Sequence, residues 1–315
     1  MIDSGIMDDI KINNSMNKRH DNLLSIYIRR MRNRTSGRME ESFILKNFMS
    51  AGKYIFLCFT ALVILFPYIW MVLGSLKSDS EIFAHQQFFP SVLRFDNYPA
   101  AIKTAPFGQF FINSTIMCVI SVTAELATCS LAAFAFAKIN FKFKKIIFIL
   151  FISAMMIPGE VTVLSNYLTA HSFGLINTYL GLTMTGLTSV FGMFLLRQFF
   201  MTLPNELMDA AKIDGCGRFR IYISIFMPLA KTALITVGIF CFISSWNAYM
   251  WPMVVTNRVS MRTVQTGLRY LIDPELGTRW PLVLAASTVI ITPVMLIFIV
   301  LQRYFIEGVA RSGIK

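Results

Sequence analysis

Long apolar blocks alternate with short charged segments from residue 54 to residue 302. A helix needs about 20 mostly apolar residues to cross the hydrocarbon core of a bilayer. The block between Lys145 and Arg197 is too long for one helix, and the turn residues at 171–178 divide it into two. Six segments then reach the required length with at most one charged residue each. They predict an all-α, polytopic membrane protein with spans near 54–76, 110–137, 146–168, 178–199, 232–251 and 280–302.

Basic residues predict the orientation of these spans, since Lys and Arg accumulate in cytoplasmic loops. With the N-terminus inside, 22 of the 29 basic residues fall in inner segments and seven fall in outer ones. We therefore predict that both termini are cytoplasmic. The segment between the fourth and fifth spans is then cytoplasmic as well.

Composition supports lipid as the main solvent of the chain. Apolar residues make up 55% and charged residues 15%, with a mean hydropathy of +0.60, whereas about a quarter of a soluble domain is charged. The net charge of +12 does not indicate nucleic-acid binding, because the basic residues lie between apolar blocks. Residues 1–49 are predicted to form a basic cytoplasmic tail, and residues 50–315 the transmembrane domain.

The sequence lacks the motifs that would indicate catalysis. There is no G-x-x-x-x-G-K-[ST] phosphate loop and no C-x-x-C pair, and the three histidines are scattered. The five cysteines are most simply small buried hydrophobic residues. We expect no enzymatic activity and neither a cofactor nor a metal bound by this chain.

The predicted cytoplasmic segment 202–228, TLPNELMDAAKIDGCGRFRIYISIFMP, has the start and stop signals of a short helix. Thr202 or Asn205 can cap its first turn and Pro204 suits that turn. The helix dipole favours acidic side chains there. Gly215 fits the position after a helix that requires a positive φ. A second helix, near 218–226, is expected to follow and to end at Pro228. The two small alanines at 210 and 211 favour close approach of another surface, and an amphipathic helix lying on the inner leaflet is the alternative.

This segment resembles the cytoplasmic signature of permease subunits of ATP-binding-cassette importers. That signature reads EAA, three residues, G, nine residues, I, one residue, LP. Here Asp209-Ala210-Ala211, Gly215, Ile225 and Met227-Pro228 keep the spacing, with Asp in place of Glu and Met in place of Leu. The stretches MIPGEVTVL, FLLRQFFMTLP, SSWNAYMWP and the C-terminal tail also resemble the maltose-type carbohydrate-uptake branch, over residues 50–315.

The resemblance implies the permease fold of such importers and one half of a path for a sugar or oligosaccharide across the bacterial cell membrane. It implies four kinds of partner: a second, homologous permease, two ATP-binding subunits that hold ATP and Mg²⁺, an extracytoplasmic solute-binding protein, and the lipid bilayer. It also implies that the cytoplasmic helix couples to the ATP-binding subunits. The residues expected to carry that coupling are Glu206, Asp209, Ala210, Ala211, Asp214, Gly215 and Pro228.

Candidate path residues lie in the second and fifth spans. A charge at the centre of a span costs about 2.5–3.5 kcal/mol on insertion scales, so Glu125 must face a polar cavity or a partner. It either lines the path or forms a structural pair. Trp246, Asn247 and Tyr249 offer aromatic faces and an amide to a sugar, whereas Trp251 is expected in the ordinary interfacial belt.

Three other functions remain as alternatives. The stretch RQFFMTLP also resembles glycerol-3-phosphate members of the branch, so that solute or a related polar one is an alternative within the same architecture. A secondary transporter would show internal repeats and broken helices in both halves, and no repeat is found. A membrane enzyme would need convergent His or acidic clusters near an interface.

Overall fold

The computed structural model describes residues 50–83, 87–272 and 277–313, and these are helices, turns and loops without a β-strand. The predicted tail, residues 1–49, lies outside the described residues. The chain divides into two units, Met1–Ile69 and Trp70–Lys315. Helix α1, Ser50–Ser75, has an 18-residue apolar window of which 0% is buried. That surface therefore needs lipid or another protein against it.

The remaining helices are short, apart from the second and last spans. They are α2 Asn97–Lys103, α3 Phe107–Lys138, α4 Lys144–Ala154, α5 Gly159–Ser172, α6 Tyr179–Thr183, α7 Val190–Thr202, α8 Glu206–Ile213, α9 Arg218–Ile221, α10 Met227–Leu229, α11 Lys231–Trp246, α12 Met250–Val255, α13 Val264–Gly267 and α14 Trp280–Gly313. A π-helical turn, Tyr222–Phe226, joins α9 to α10. Single 3₁₀ turns, Met184–Gly186, Val259–Met261 and Leu268–Leu271, lie in the connections.

Among the described residues, three helices are long and apolar enough to span a membrane, and the number rises to six if each bent pair counts as one span. The pairs bend by 97° between α4 and α5, by 50° between α6 and α7, and by 80° between α10 and α11. The six predicted spans therefore correspond to three continuous helices and three broken ones. By length and composition, the all-α, multi-span fold class is confirmed.

The breaks have local causes. Pro158 lacks a backbone N–H and disfavours helical geometry at the preceding residue, so α4 ends at Ala154 and α5 begins at Gly159. The hydroxyl of Ser189 accepts a hydrogen bond from the backbone N–H of Gly192 at 3.1 Å, which caps a new helix, α7. The predicted fourth span is thereby divided within its length.

Helix α3 is the central element of the second unit, and it packs against α7 and α11 along its length. Phe107 and Phe110 at its N-terminal end are buried with residues of α13 and α14. Phe134 and Phe136 at its C-terminal end are buried with residues of α7 and of the segment 211–233. This packing holds the predicted coupling segment against the C-terminal end of α3.

A buried amide side chain in the N-terminal part of α3, away from the coupling segment, fixes the neighbouring loops. The side-chain NH₂ of Asn113 donates to the carbonyls of Ser260 and Arg262, both at 2.8 Å. Its oxygen accepts a hydrogen bond from the hydroxyl of Tyr179 at 2.9 Å. One side chain thus fixes both the loop before α13 and the start of α6.

Candidate functional site

Helix α8 presents two different faces. Ala211 is 4% exposed and packs in the cluster at the C-terminal end of α3, together with the half-buried Met208. Leu207 is 38% exposed and Ile213 is 87% exposed, and both lie on the outward face, as does Ala210. The two alanines were expected to share one docking role. The structure corrects this, because Ala211 fills this chain's own core while Ala210 faces outward.

The C-terminal end of α8 is a complete Schellman motif. Gly215 has a φ of +76°, its N–H donates to the carbonyl of Lys212 at 3.0 Å, and the next N–H, of Cys216, donates to the carbonyl of Ala211 at 2.9 Å. A β-carbon on Gly215 would meet no atom within 4 Å, so backbone conformation alone selects glycine here. The predicted positive φ is confirmed.

The N-terminal end of α8 is capped differently from the expectation. Asn205 occupies the cap position, but its side chain makes no capping hydrogen bond to the helix. The hydroxyl of Thr202 instead donates within α7, to the carbonyl of Phe199 at 2.8 Å. Glu206 and Asp209 lie in the first turn as predicted. Asp209 pairs with Lys212 at 2.9 Å, and both side chains are exposed.

Beyond Gly217 the chain turns back through α9, the π-helical turn and α10. The sequence predicted that this segment ends at Pro228. That prediction is wrong, because α10 continues to Leu229. The ring of Pro228 removes one backbone donor, and a π-helical turn directly before it accommodates such a loss. The 80° bend to α11 follows at Ala230.

Lys138 joins this region to α3, and no sequence motif singled it out. Its ammonium group donates to the backbone carbonyl of Leu203 at 2.6 Å and to the side-chain oxygen of Asn205 at 2.8 Å. The residue is 8% exposed, and its Nζ lies 5.6 Å from the centre of the Phe226 ring. The one sequence signal was a lysine directly after the apolar span, which is also the signal of an ordinary solvated loop.

Glu125 lies in the middle of α3 and is 8% exposed. Its carboxyl group lies next to the side chains of Ser189 and Cys241, on the connection before α7 and on α11. A β-carbon on Gly192 would stand 3.0 Å from its Oε1 atom, so α7 approaches closely there. Glu125 therefore joins three helices of this chain.

The aromatic cluster after α11 is split by the structure. Trp246 is 4% exposed and its indole N–H donates to the carbonyl of Ile290 at 3.0 Å. Tyr249 is 43% exposed, and the exposed Asn247 accepts a hydrogen bond from Gln265 at 3.2 Å. Trp251 is 8% exposed and donates to the carbonyl of Gly181 at 3.0 Å. The expectation that Trp251 belongs to an interfacial belt is wrong, because this indole is buried between α12 and α6.

A groove of about 860 Å³ runs between α3, α11 and α14. Its walls are mostly apolar, with Trp246 and Phe242 along it and Pro228 and Lys231 where α10 meets α11. Hydroxyl groups of a sugar would lose their hydrogen bonds to water on entering such a groove. An acyl chain or an apolar helix suits it better.

Comparison with known proteins agrees with this geometry. Residues 129–311, which contain α8 and its Schellman end, match the family model described as binding-protein-dependent transport system inner membrane component. The chain therefore belongs to this family of membrane permeases, as its signature predicted.

Relatives match over most of their length. The chain is 32% identical to the arabinooligosaccharides transport system permease protein AraQ of Bacillus subtilis (strain 168), over 83% of this chain and 94% of that protein. It is 34% identical to the sn-glycerol-3-phosphate transport system permease protein UgpE of Yersinia pestis bv. Antiqua (strain Antiqua), over 82% and 95% respectively.

A solved structure has the same fold. A chain of a bacterial ABC transporter involved in the import of the acidic polysaccharide alginate superimposes with a TM-score of 0.73, at 23% identity. The match covers 82% of this chain and 97% of that one. The family and both relatives are components of transport systems, so the prediction of a transport role is confirmed.

Proposed function

We propose that this protein is one of two homologous permease subunits of an importer for a carbohydrate or a closely related polar solute. Two ATP-binding subunits on the cytoplasmic side drive it, and an extracytoplasmic binding protein delivers the solute. Both termini are cytoplasmic in this arrangement, because 22 of the 29 basic residues then lie inside.

The outward face of α8 is the main observation that supports the proposal. A helix of 8 residues, anchored from behind by Ala211 and closed by Gly215, exposes Leu207, Ala210 and Ile213 together. Apolar side chains that are exposed on a loop outside the membrane lower the free energy when a protein groove covers them. The exposed acids Glu206, Asp209 and Asp214 border this face and suit basic residues of an ATP-binding subunit.

The names of the relatives support two candidate solutes, and a carbohydrate is the first. One relative is named for arabinooligosaccharides, and a structural neighbour belongs to an importer of alginate. The second candidate solute is sn-glycerol-3-phosphate, which the name of the other relative favours at a similar identity. Asn247 and Tyr249 are the exposed polar side chains of the predicted path, and they suit hydroxyl groups of either solute.

Reconstitution tests the proposal. The protein is co-purified with the second permease and ATP-binding subunits of its own system, placed in liposomes, and supplied with the binding protein. We expect ATP-dependent uptake of an oligosaccharide and no uptake without ATP. Uptake of sn-glycerol-3-phosphate alone would select the second candidate, and uptake driven by an ion gradient without ATP would contradict the proposal.

A further inference from the structure

Two polar links connect α3 to the coupling segment at buried positions. One is the ammonium group of Lys138, the last residue of α3, and the other is a hydrogen bond of 2.7 Å between the hydroxyls of Ser130 and Tyr222. The Lys138 link reaches the start of α8 directly, because Asn205 is the N-cap residue of that helix. The Ser130 link reaches the π-helical turn.

The Lys138 ammonium group has a well-matched environment. It lies at the C-terminal end of a 32-residue helix, where the helix dipole favours a cation. It donates hydrogen bonds to two oxygen atoms, of Leu203 and Asn205, at 2.6 and 2.8 Å. The carboxylate of Glu206 attracts it from the first turn of α8, whereas the ammonium group of Lys144 repels it. These contacts fix the chain between α7 and α8 relative to the end of α3.

Stability alone does not account for a buried lysine at this position. Removing an ammonium group from water is costly, and replacing a buried charge by a well-packed apolar side chain is often neutral or stabilising. What a charge with two directed hydrogen bonds adds is a fixed geometry between its partners. Lys138 provides that geometry between a span and the helix that faces the ATP-binding subunit.

We propose that Lys138 is a positioning residue that fastens α8 to α3, so that a displacement of α8 is passed directly to the second span. This inference rests on the proposed function, and it adds a specific route for the motion. Without Lys138, α8 keeps its outward face but its link to α3 is looser. Binding of the ATP-binding subunit then persists while its motion reaches α3 less completely.

The test is the ratio of stimulated to basal ATP hydrolysis in the reconstituted complex with loaded binding protein. We expect Lys138→Met to lower this ratio about tenfold or more, the factor that corresponds to one hydrogen bond from a charged group. Lys138→Arg should restore most of it, since a guanidinium group also donates to two oxygens. Lys142→Met, at an exposed lysine on the following loop, is the matched control and should keep the wild-type ratio.

Asn205→Ala provides a second, independent variant. It removes one acceptor and leaves the Leu203 carbonyl, so it should lower the ratio less than Lys138→Met, and the double variant should add little to Lys138→Met. The inference is overturned if Lys138→Met keeps the wild-type ratio. If Lys138→Met does not assemble, a wild-type ratio in Asn205→Ala overturns it instead. An equal loss in Lys138→Arg and Lys138→Met overturns it too, because side-chain packing would then explain the effect. A wild-type complex that does not respond to loaded binding protein overturns the proposed function itself.

Discussion

At the scale of single residues, Gly215 and Gly217 show how one segment uses glycine in two ways. Gly215 has a φ of +76°, which L-residues with a β-carbon rarely adopt, whereas Gly217 has a φ of −67°, which any residue adopts. A β-carbon at either position would meet no atom within 4 Å. Comparing substitutions at these two positions therefore isolates the effect of backbone conformation from the effect of packing.

We predict that Gly215→Val destabilises the end of α8 by about 1–2 kcal/mol, because a β-branched residue is strained in the left-handed region. Gly217→Val should cost much less. Thermal unfolding of the purified complex measures the global effect, and hydrogen exchange at Cys216 measures the local one. Equal effects of the two substitutions would contradict the Schellman assignment.

At the scale of elements, glycine also sets how closely helices and turns approach. A β-carbon on Gly181 in α6 would stand 2.1 Å from the carbonyl oxygen of Leu175, a backbone atom that cannot rotate away. The carbonyl of Gly181 also accepts the indole N–H of Trp251. The contact thus lies where α6, the preceding turn and α12 meet.

We predict that Gly181→Ala lowers stability by about 1–3 kcal/mol, the usual cost of forcing an extra methyl group into a filled site. Gly159→Ala is the control, because a β-carbon at that helical glycine would meet nothing within 4 Å. Thermal unfolding in detergent distinguishes them. If both variants unfold at the wild-type temperature, the close approach at Gly181 is wrong.

The sequence predicted elements better than it predicted the links between them. Hydrophobic length located the spans, and Gly215 marked the end of α8, because both signals are local. The contacts of Lys138 join residues 65 and 67 positions apart, and no periodicity brings such pairs together. The burial of Trp251 was not predicted for the same reason, since it depends on α6 lying opposite. The signature also could not separate Ala210 from Ala211, whose different faces depend on how α8 packs on α3.

At the scale of the whole molecule, orientation is the first property to test. In a background without the native cysteines, we predict that Ser172→Cys reacts with a membrane-impermeant maleimide added outside intact cells. Thr202→Cys should react only after permeabilisation. Both positions are exposed in the chain, so accessibility depends on the side of the membrane. Protection of Ser172→Cys together with labelling of Thr202→Cys would reverse the proposed topology.

Coupling through α8 is the central claim, and Ala210→Trp tests it most directly. Ala210 faces outward on α8, so a large side chain there obstructs a groove on a partner without disturbing this chain's own core. Ala154→Trp, at an exposed alanine that ends α4, is the matched control. The measurement is solute uptake by reconstituted complexes, at equal amounts of inserted permease. The account predicts that Ala210→Trp abolishes uptake and the response of ATP hydrolysis to loaded binding protein, while Ala154→Trp retains both. Wild-type uptake by Ala210→Trp would contradict coupling through α8.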